Sequence, residues 1–350
     1  MNRMLPAALL LLVAAPALAQ TDVATLIDRG YLRQAESKLT ARVAEAPNDV
    51  DALARLARIR VEQGKTEEAM ALAERAVAAN PNSAEAHYAL AEANGAKAQK
   101  GGLGAMGPAK KFKKEAEATL ALDPRHSDAI EGLIQFHQQA PGLVGGDKKK
   151  IPELLDRLNT VDPEKASIRR AGAAMNEKDS VKAEAILRKT AESGSADARL
   201  ALAGWLAQPW RKPAEAERLA REVVAREPWR QNAWGTIAVV EAREKRYDDL
   251  DATLAAAETA DPGRLGAVYA AARTLIVEGG DLARAEKYLH RYLATPPEIG
   301  YPAHAGAHWR LAQVLEKKGQ KDAAVAELRI AVRDQPDLDG AKKDLKRLSH

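Results

Sequence analysis

The chain is 350 residues long, carries a formal net charge of +4, contains no cysteine and is 4% aromatic. The missing cysteines exclude disulfides, thiol nucleophiles and thiolate metal sites, and the charge is too small to call for nucleic acid as a partner. The thin aromatic content does not suit the two large globular cores that the length alone suggests, whereas the abundant Ala, Leu, Glu, Arg and Lys favour helix.

The first twenty residues, MNRMLPAALLLLVAAPALAQ, place one cation, Arg3, before an apolar run from Leu5 to Ala15 and then Ala17-Leu18-Ala19 ahead of Gln20. This order predicts a cleavable secretory signal peptide over 1–19, cut after Ala19, and a periplasmic or secreted address. The run is too short to span a bilayer, and no later segment approaches the ~20 apolar residues required, so no transmembrane segment is expected in the mature chain.

The remainder of the chain reads as a series of helix pairs closed by prolines. Residues 21–47 form a shortened first unit, with Gly30 at its turn, and residues 50–81 a full one with Gly64; Pro47 and Pro81 lie 34 residues apart. The next closing proline, Pro124, comes late because KAQKGGLGAMGP is inserted over 97–108. Residues 127–163 are too long at APGLVGG, 140–146. Residues 164–195 lack both a turn glycine and a closing proline, and are expected to be an irregular repeat or a joint. Regular units return over 197–228, 231–262 with Trp234, 265–297, and 305–336 after a stretched connector. Ala341, Leu345 and Leu348 then mark a polar-backed capping helix.

The unit at 305–336 is the most legible. Leu311 and Leu315, the small residues Ala312, Ala324 and Ala331, the turn residue Gly319 and the terminal Pro336 resemble the tetratricopeptide repeat (TPR). Helix axes 8–10 Å apart leave room only for Ala or Gly where they approach, with Leu filling the flanking holes. The resemblance implies an all-α fold, a right-handed superhelical solenoid of about eight helix-turn-helix repeats with a C-terminal cap. N-terminal units would fill 20–163, the irregular unit 164–196, and C-terminal units 197–350. Such an array needs no single central core. KAQKGGLGAMGPAKK, APGLVGGDKKK and AGAHWRLAQVLEKKG are also similar to a group of secreted bacterial TPR proteins, which supplies an address and no activity.

Reactive constellations are scarce. Gly102-Leu103-Gly104-Ala105-Met106-Gly107 satisfies G-x-G-x-x-G, but a dinucleotide site needs a strand before it, and a helix is expected there. His304 and His308 share a helical face without an acidic ligand motif, and read as histidines of a repeat junction. No catalytic residue, metal or cofactor is assigned, and no enzyme activity is expected.

Surfaces remain. Concave-face positions of the TPR pattern select Arg58, Glu62, Tyr88, Glu92, Gln135, Gln138, Trp205, Gln208, Tyr269, Arg273, Trp309 and Gln313. Rings beside amides and charges suit an extended peptide or a stacked glycan; the other reading is that some rings pack on the next repeat. Ala54, Arg58 and Ala89 stand where a chaperone-type carboxylate clamp needs Lys and Asn, which excludes that partner class. A second surface is basic. Lys97, Lys100, Lys110, Lys111, Lys113 and Lys114 flank one insertion, Lys148, Lys149 and Lys150 follow the other, and the two are expected to adjoin as a cationic lip for anionic glycan, phospholipid headgroups or acidic protein. The reading is a non-catalytic scaffold mediating protein–protein interaction or complex assembly in the bacterial cell envelope, with a periplasmic carbohydrate or cell-wall polymer binding module as the alternative.

Overall fold

The computed structural model describes residues 21–101 and 104–349. The expected signal peptide lies outside the described residues, as do Gly102 and Leu103 of the glycine-rich motif. The chain divides into two compact units between Pro124 and Arg125. Among the described residues there are nineteen α-helices, two three-residue 3-10 helices and no strand.

The first unit contains three helix pairs: α1 (Val23–Asp28) with α2 (Leu32–Glu45), α3 (Val50–Glu62) with α4 (Thr66–Ala79), and α5 (Ala84–Gln99) with α6 (Met106–Leu122). Asp49 and Ser83 cap α3 and α5 by accepting the backbone N–H groups of Ala52 and Ala86. Its core is built mainly from alanine: Ala54, Ala57, Ala73, Ala76, Ala86 and Ala89 cluster with Leu53, and the small side chains let the helices close on one another. The expected loop insertion at 97–108 is helix at both ends, over 97–99 and 106–108. α5 and α6 have 16 and 17 residues, against 13 and 14 in α3 and α4, so most of the extra length extends the hairpin. Gly95 permits the close approach there, since a Cβ on it would stand 3.1 Å from the Phe112 ring.

The second unit contains six pairs and a cap. They are α7 (Ser127–Gln139) with α8 (Ile151–Val161), α9 (Pro163–Asn176) with α10 (Ser180–Ala191), α11 (Ala196–Leu206) with α12 (Pro213–Arg226), α13 (Gln231–Arg243) with α14 (Tyr247–Ala260), α15 (Gly266–Val277) with α16 (Leu282–Leu293), and α17 (His304–Lys317) with α18 (Lys321–Asp334). α19 (Asp339–Leu348) packs on α18 through the fully buried Ala341. Ala216, Ala220, Ala285, Ala324 and Ala331 are all fully buried where helices approach. Trp234 is interior too, and its Nε1 donates to the Pro228 carbonyl at 2.9 Å.

Residues 163–191 form a helix pair whose turn uses lysine in place of glycine. Lys178 adopts φ 63°, and the N–H of Asp179 returns to the Ala174 carbonyl at 2.9 Å. Lys245, at φ 58°, does the same in the next pair but one. This is the closure that Gly319 (φ 76°) makes, where the Gln320 N–H meets the Leu315 carbonyl at 2.9 Å.

Candidate functional site

The two units divide the candidate residues. Arg58, Tyr88, Glu92 and Lys110 to Lys114 belong to the first, and Gln135, Lys148 to Lys150 and all later positions to the second. In the first unit Arg58, Tyr88 and Glu92 come together: Arg58 Nε lies 2.6 Å from Glu92 Oε2, and its guanidinium is 5.2 Å from the centroid of the buried Tyr88 ring. Lys110, Lys111 and Lys114 are exposed on α6, while Lys113 is half-buried, 3.7 Å from Glu117. They stand on α6, beyond the insertion at 97–108.

In the second unit the rings are largely taken up by neighbouring repeats. Trp205 is buried in a cluster with Leu202, Leu206 and Leu219, and the Arg211 guanidinium stacks 3.4 Å above it. Tyr269 packs on Tyr292 with ring centroids 5.1 Å apart, while Arg273 is exposed. Trp309 Nε1 donates to Asp344 of α19 at 2.8 Å, and Gln313 accepts from Arg310 at 2.9 Å. His304 Nε2 pairs with the Thr295 carbonyl at 3.0 Å, and His308 Nδ1 with Glu327 at 2.6 Å, so the two imidazoles serve different partners. Among the described residues no group of three or more His, Asp or Glu is placed to hold a metal ion.

One open groove of this unit lies over the first helices of three successive pairs. A groove of about 590 Å³ is lined by Glu131 and Gln138 of α7, by Lys165, Ile168, Arg169, Gly172, Met175 and Asn176 of α9, and by Asp197 of α11. Its charges are ordered by one another. Lys165 Nζ lies 2.6 Å from Asp128 and 3.7 Å from Glu131, and Arg169 Nε lies 2.7 Å from Glu131. Burial works against the Lys165 charge, but Asp128, Glu131 and Asp162 outweigh it and hold the ammonium above its ordinary range. Glu164 accepts from Ser195 Oγ at 2.7 Å, which fixes the far wall. Paired charges, two side-chain amides and a short apolar floor suit recognition of a chain that offers both backbone polar groups and charge.

Of the groove residues, the sequence pattern selects only Gln138. Those on α9 escape it because the unit at 164–195 has no turn glycine or closing proline to set its register; Glu131 and Asp197 fall outside the concave positions of their own units. Aligned on α9, the concave positions used elsewhere fall on Lys165, Ile168, Gly172, Met175 and Asn176, all of which line the groove.

With this geometry, comparison with known proteins is informative about the fold. Two tetratricopeptide-repeat family models match the chain, one over residues 26–93 and one over 269–339. The chain carries tetratricopeptide repeats. Its fold class is the all-α TPR solenoid. The structure is similar to yeast Tom70, with a TM-score of 0.54 and 14% identity over 93% of this chain and 79% of Tom70. Human IFIT1 gives a TM-score of 0.48 and 16% identity over 93% of this chain and 79% of its own. A tetratricopeptide repeat protein from Parabacteroides merdae gives 0.36 and 15% over 94% and 96%. At this identity the likeness to Tom70 is one of fold alone. Comparison with curated proteins gives no relative.

Proposed function

We propose that this TPR protein is a non-catalytic scaffold that holds an extended segment of a partner protein across α7, α9 and α11, and that it does so in the bacterial cell envelope after export. TPR arrays generally bind proteins and are generally non-catalytic, which sets the class of function. The observation that carries the proposal is the groove, whose carboxylates and cations are fixed by one another before any ligand arrives, so that little ordering cost remains for them on binding. The leader sequence at 1–19 supports the address.

Gly172 provides the test. A Cβ there meets nothing within 4 Å, so Gly172→Arg fills the groove without disturbing the helix pair. Affinity capture from envelope extract, using the chain that begins at Gln20, is expected to recover one stoichiometric protein with the wild type and at least about tenfold less with Gly172→Arg, at an unchanged melting temperature. Retention on glycan resin with no protein recovered overturns the proposal in favour of the carbohydrate-binding alternative. Mass spectrometry of the envelope fraction checks export, with a mature N-terminus at Gln20 expected.

A further inference from the structure

Helices in the second unit alternate in direction, so the turns inside its pairs leave from one edge and the turns between pairs from the other. The first edge is unusual in composition. Among the described residues, every large hydrophobic side chain that this unit exposes stands in a turn inside a pair or on the helix end beside one: Leu143 (77% exposed) and Trp210 (80%) in turns, Val181 (80%) in the first turn of α10 and Val277 (62%) at the end of α15. Three of these belong to consecutive pairs, at 140–150, 177–182 and 207–212. Over those same turns Lys148, Lys149, Lys150, Lys178, Lys182, Arg211 and Lys212 outnumber Asp147, Glu177 and Asp179, and Glu184 of α10 adds one further carboxylate, 3.4 Å from Lys212 and 3.9 Å from Arg211. Two of the three acids are engaged locally, because Asp147 caps the Lys149 N–H and Asp179 the Lys182 N–H. The opposite edge carries Glu192, Glu227, Asp261, Asp334 and Asp337 against Arg226, Arg230 and Arg264, with no large exposed apolar group.

We infer that the edge carrying Leu143, Val181 and Trp210 is a docking surface for an anionic lipid bilayer. Charge complementarity selects an anionic partner, and the shape of the apolar groups selects lipid. Each is a single side chain in or beside a separate turn, and an acidic protein would need a separate hole for each. A headgroup region admits scattered apolar tips to a depth of about 5–10 Å while lysines beside them meet anionic headgroups. Tryptophan suits that boundary, its ring apolar and its N–H polar. No described helix is long and apolar enough to cross a membrane, so the association is peripheral. This edge is distinct from the groove, which lies over the faces of the first helices, so lipid docking and partner binding are separable by mutation.

Vesicle sedimentation of the chain lacking residues 1–19, which keeps every described residue, tests the inference. Binding is expected to phosphatidylcholine vesicles that contain phosphatidylglycerol and not to pure phosphatidylcholine. It should weaken as salt rises from about 0.1 M to about 1 M and the screening length falls from about 10 Å to about 3 Å. Replacing Lys148, Lys149 and Lys150 by Ala should lower partitioning by about a hundredfold, at roughly fivefold per lysine. Trp210→Ala, at a site too exposed to affect folding, should lower it by roughly fivefold or more and abolish the quenching of tryptophan fluorescence by brominated lipid. Equal binding by Trp210→Ala, equal binding to pure phosphatidylcholine, no sedimentation, or capture by a soluble acidic protein with none on vesicles would each overturn it.

Discussion

Lys178 and Lys245 occupy the left-handed turn position that Gly30, Gly64, Gly279 and Gly319 fill in other pairs. An L-residue there costs about 1–2 kcal/mol through its Cβ, while glycine gives back about 0.5–1 kcal/mol through the unfolded chain. Lys178→Gly and Lys245→Gly are therefore expected to stabilise by about 0.5–1 kcal/mol each, read as a higher urea midpoint, whereas Lys→Ala at either position should gain nothing. Glu241 gives a residue-scale prediction in pH. It is completely buried, accepting from Arg221 at 2.7 Å and Thr253 at 3.0 Å, yet burial prevails and raises its carboxyl above the ordinary 4.5. Between 4.5 and that raised value the folded chain holds a proton that the unfolded chain has lost, so this group's contribution falls as pH rises through the window and then levels. Glu241→Gln removes the titration. Its stability relative to wild type should improve from about pH 4 to about pH 7 in paired denaturant melts, and a constant difference would exclude the assignment. Asp281 has the opposite sign: the Arg284 N–H lowers its pKa, and the stability it contributes is lost as pH falls below its ordinary 3.8.

At the scale of elements, the rings assigned to a binding face show what a positional rule leaves out. Trp309 projects from α17 over α19, and Tyr269 from α15 over α17, and each meets a glycine on the later helix. A Cβ on Gly340 would stand 2.3 Å from Trp309 Cζ2, and one on Gly306 3.7 Å from the Tyr269 hydroxyl. Gly340 is the available signal, since a glycine inside a helix costs about 1 kcal/mol relative to alanine unless something close needs the room, whereas the distance at Gly306 is ordinary contact. Gly340→Ala tests the pairing because two effects oppose each other. Helix propensity favours alanine by about 1 kcal/mol, but overpacking costs about 1–3 kcal/mol and displaces the ring that bonds Asp344. The expected result is a net loss of about 1 kcal/mol and faster amide exchange across Asp339–Leu348. Slower exchange there would mean that Trp309 is free to leave.

At the scale of the whole molecule, the two units each carry their own core. The second has six pairs and a cap with long apolar clusters, and the first three pairs built mainly on alanine. Stability in repeat arrays grows with the number of packed neighbours, and about three repeats is the lower limit. Residues 125–350 expressed alone are therefore expected to melt cooperatively with full helical circular dichroism, and residues 21–124 alone at a distinctly lower temperature. A non-cooperative melt of the larger fragment would contradict the division at Pro124.

The repeat architecture is legible in the sequence because it rests on local necessities: alanine where axes approach, leucine beside it, a left-handed residue at the turn, and proline where the second helix must stop. The unit at 164–195 escapes for the same reason, since Lys178 meets the left-handed requirement without announcing it. The insertion at 97–108 reads as a loop because glycine composition speaks for one, while the packing of Phe112 against Gly95 carries the helices further. Periodicity assigns a side chain a direction on its own helix, and that is as far as the linear chain goes. Whether that direction ends in a neighbour or in open space depends on the next helix and the volume it leaves. Gly340 and Asp344 draw Trp309 inward, whereas around Gly172 space stays open and Lys165 and Arg169 are held at its rim.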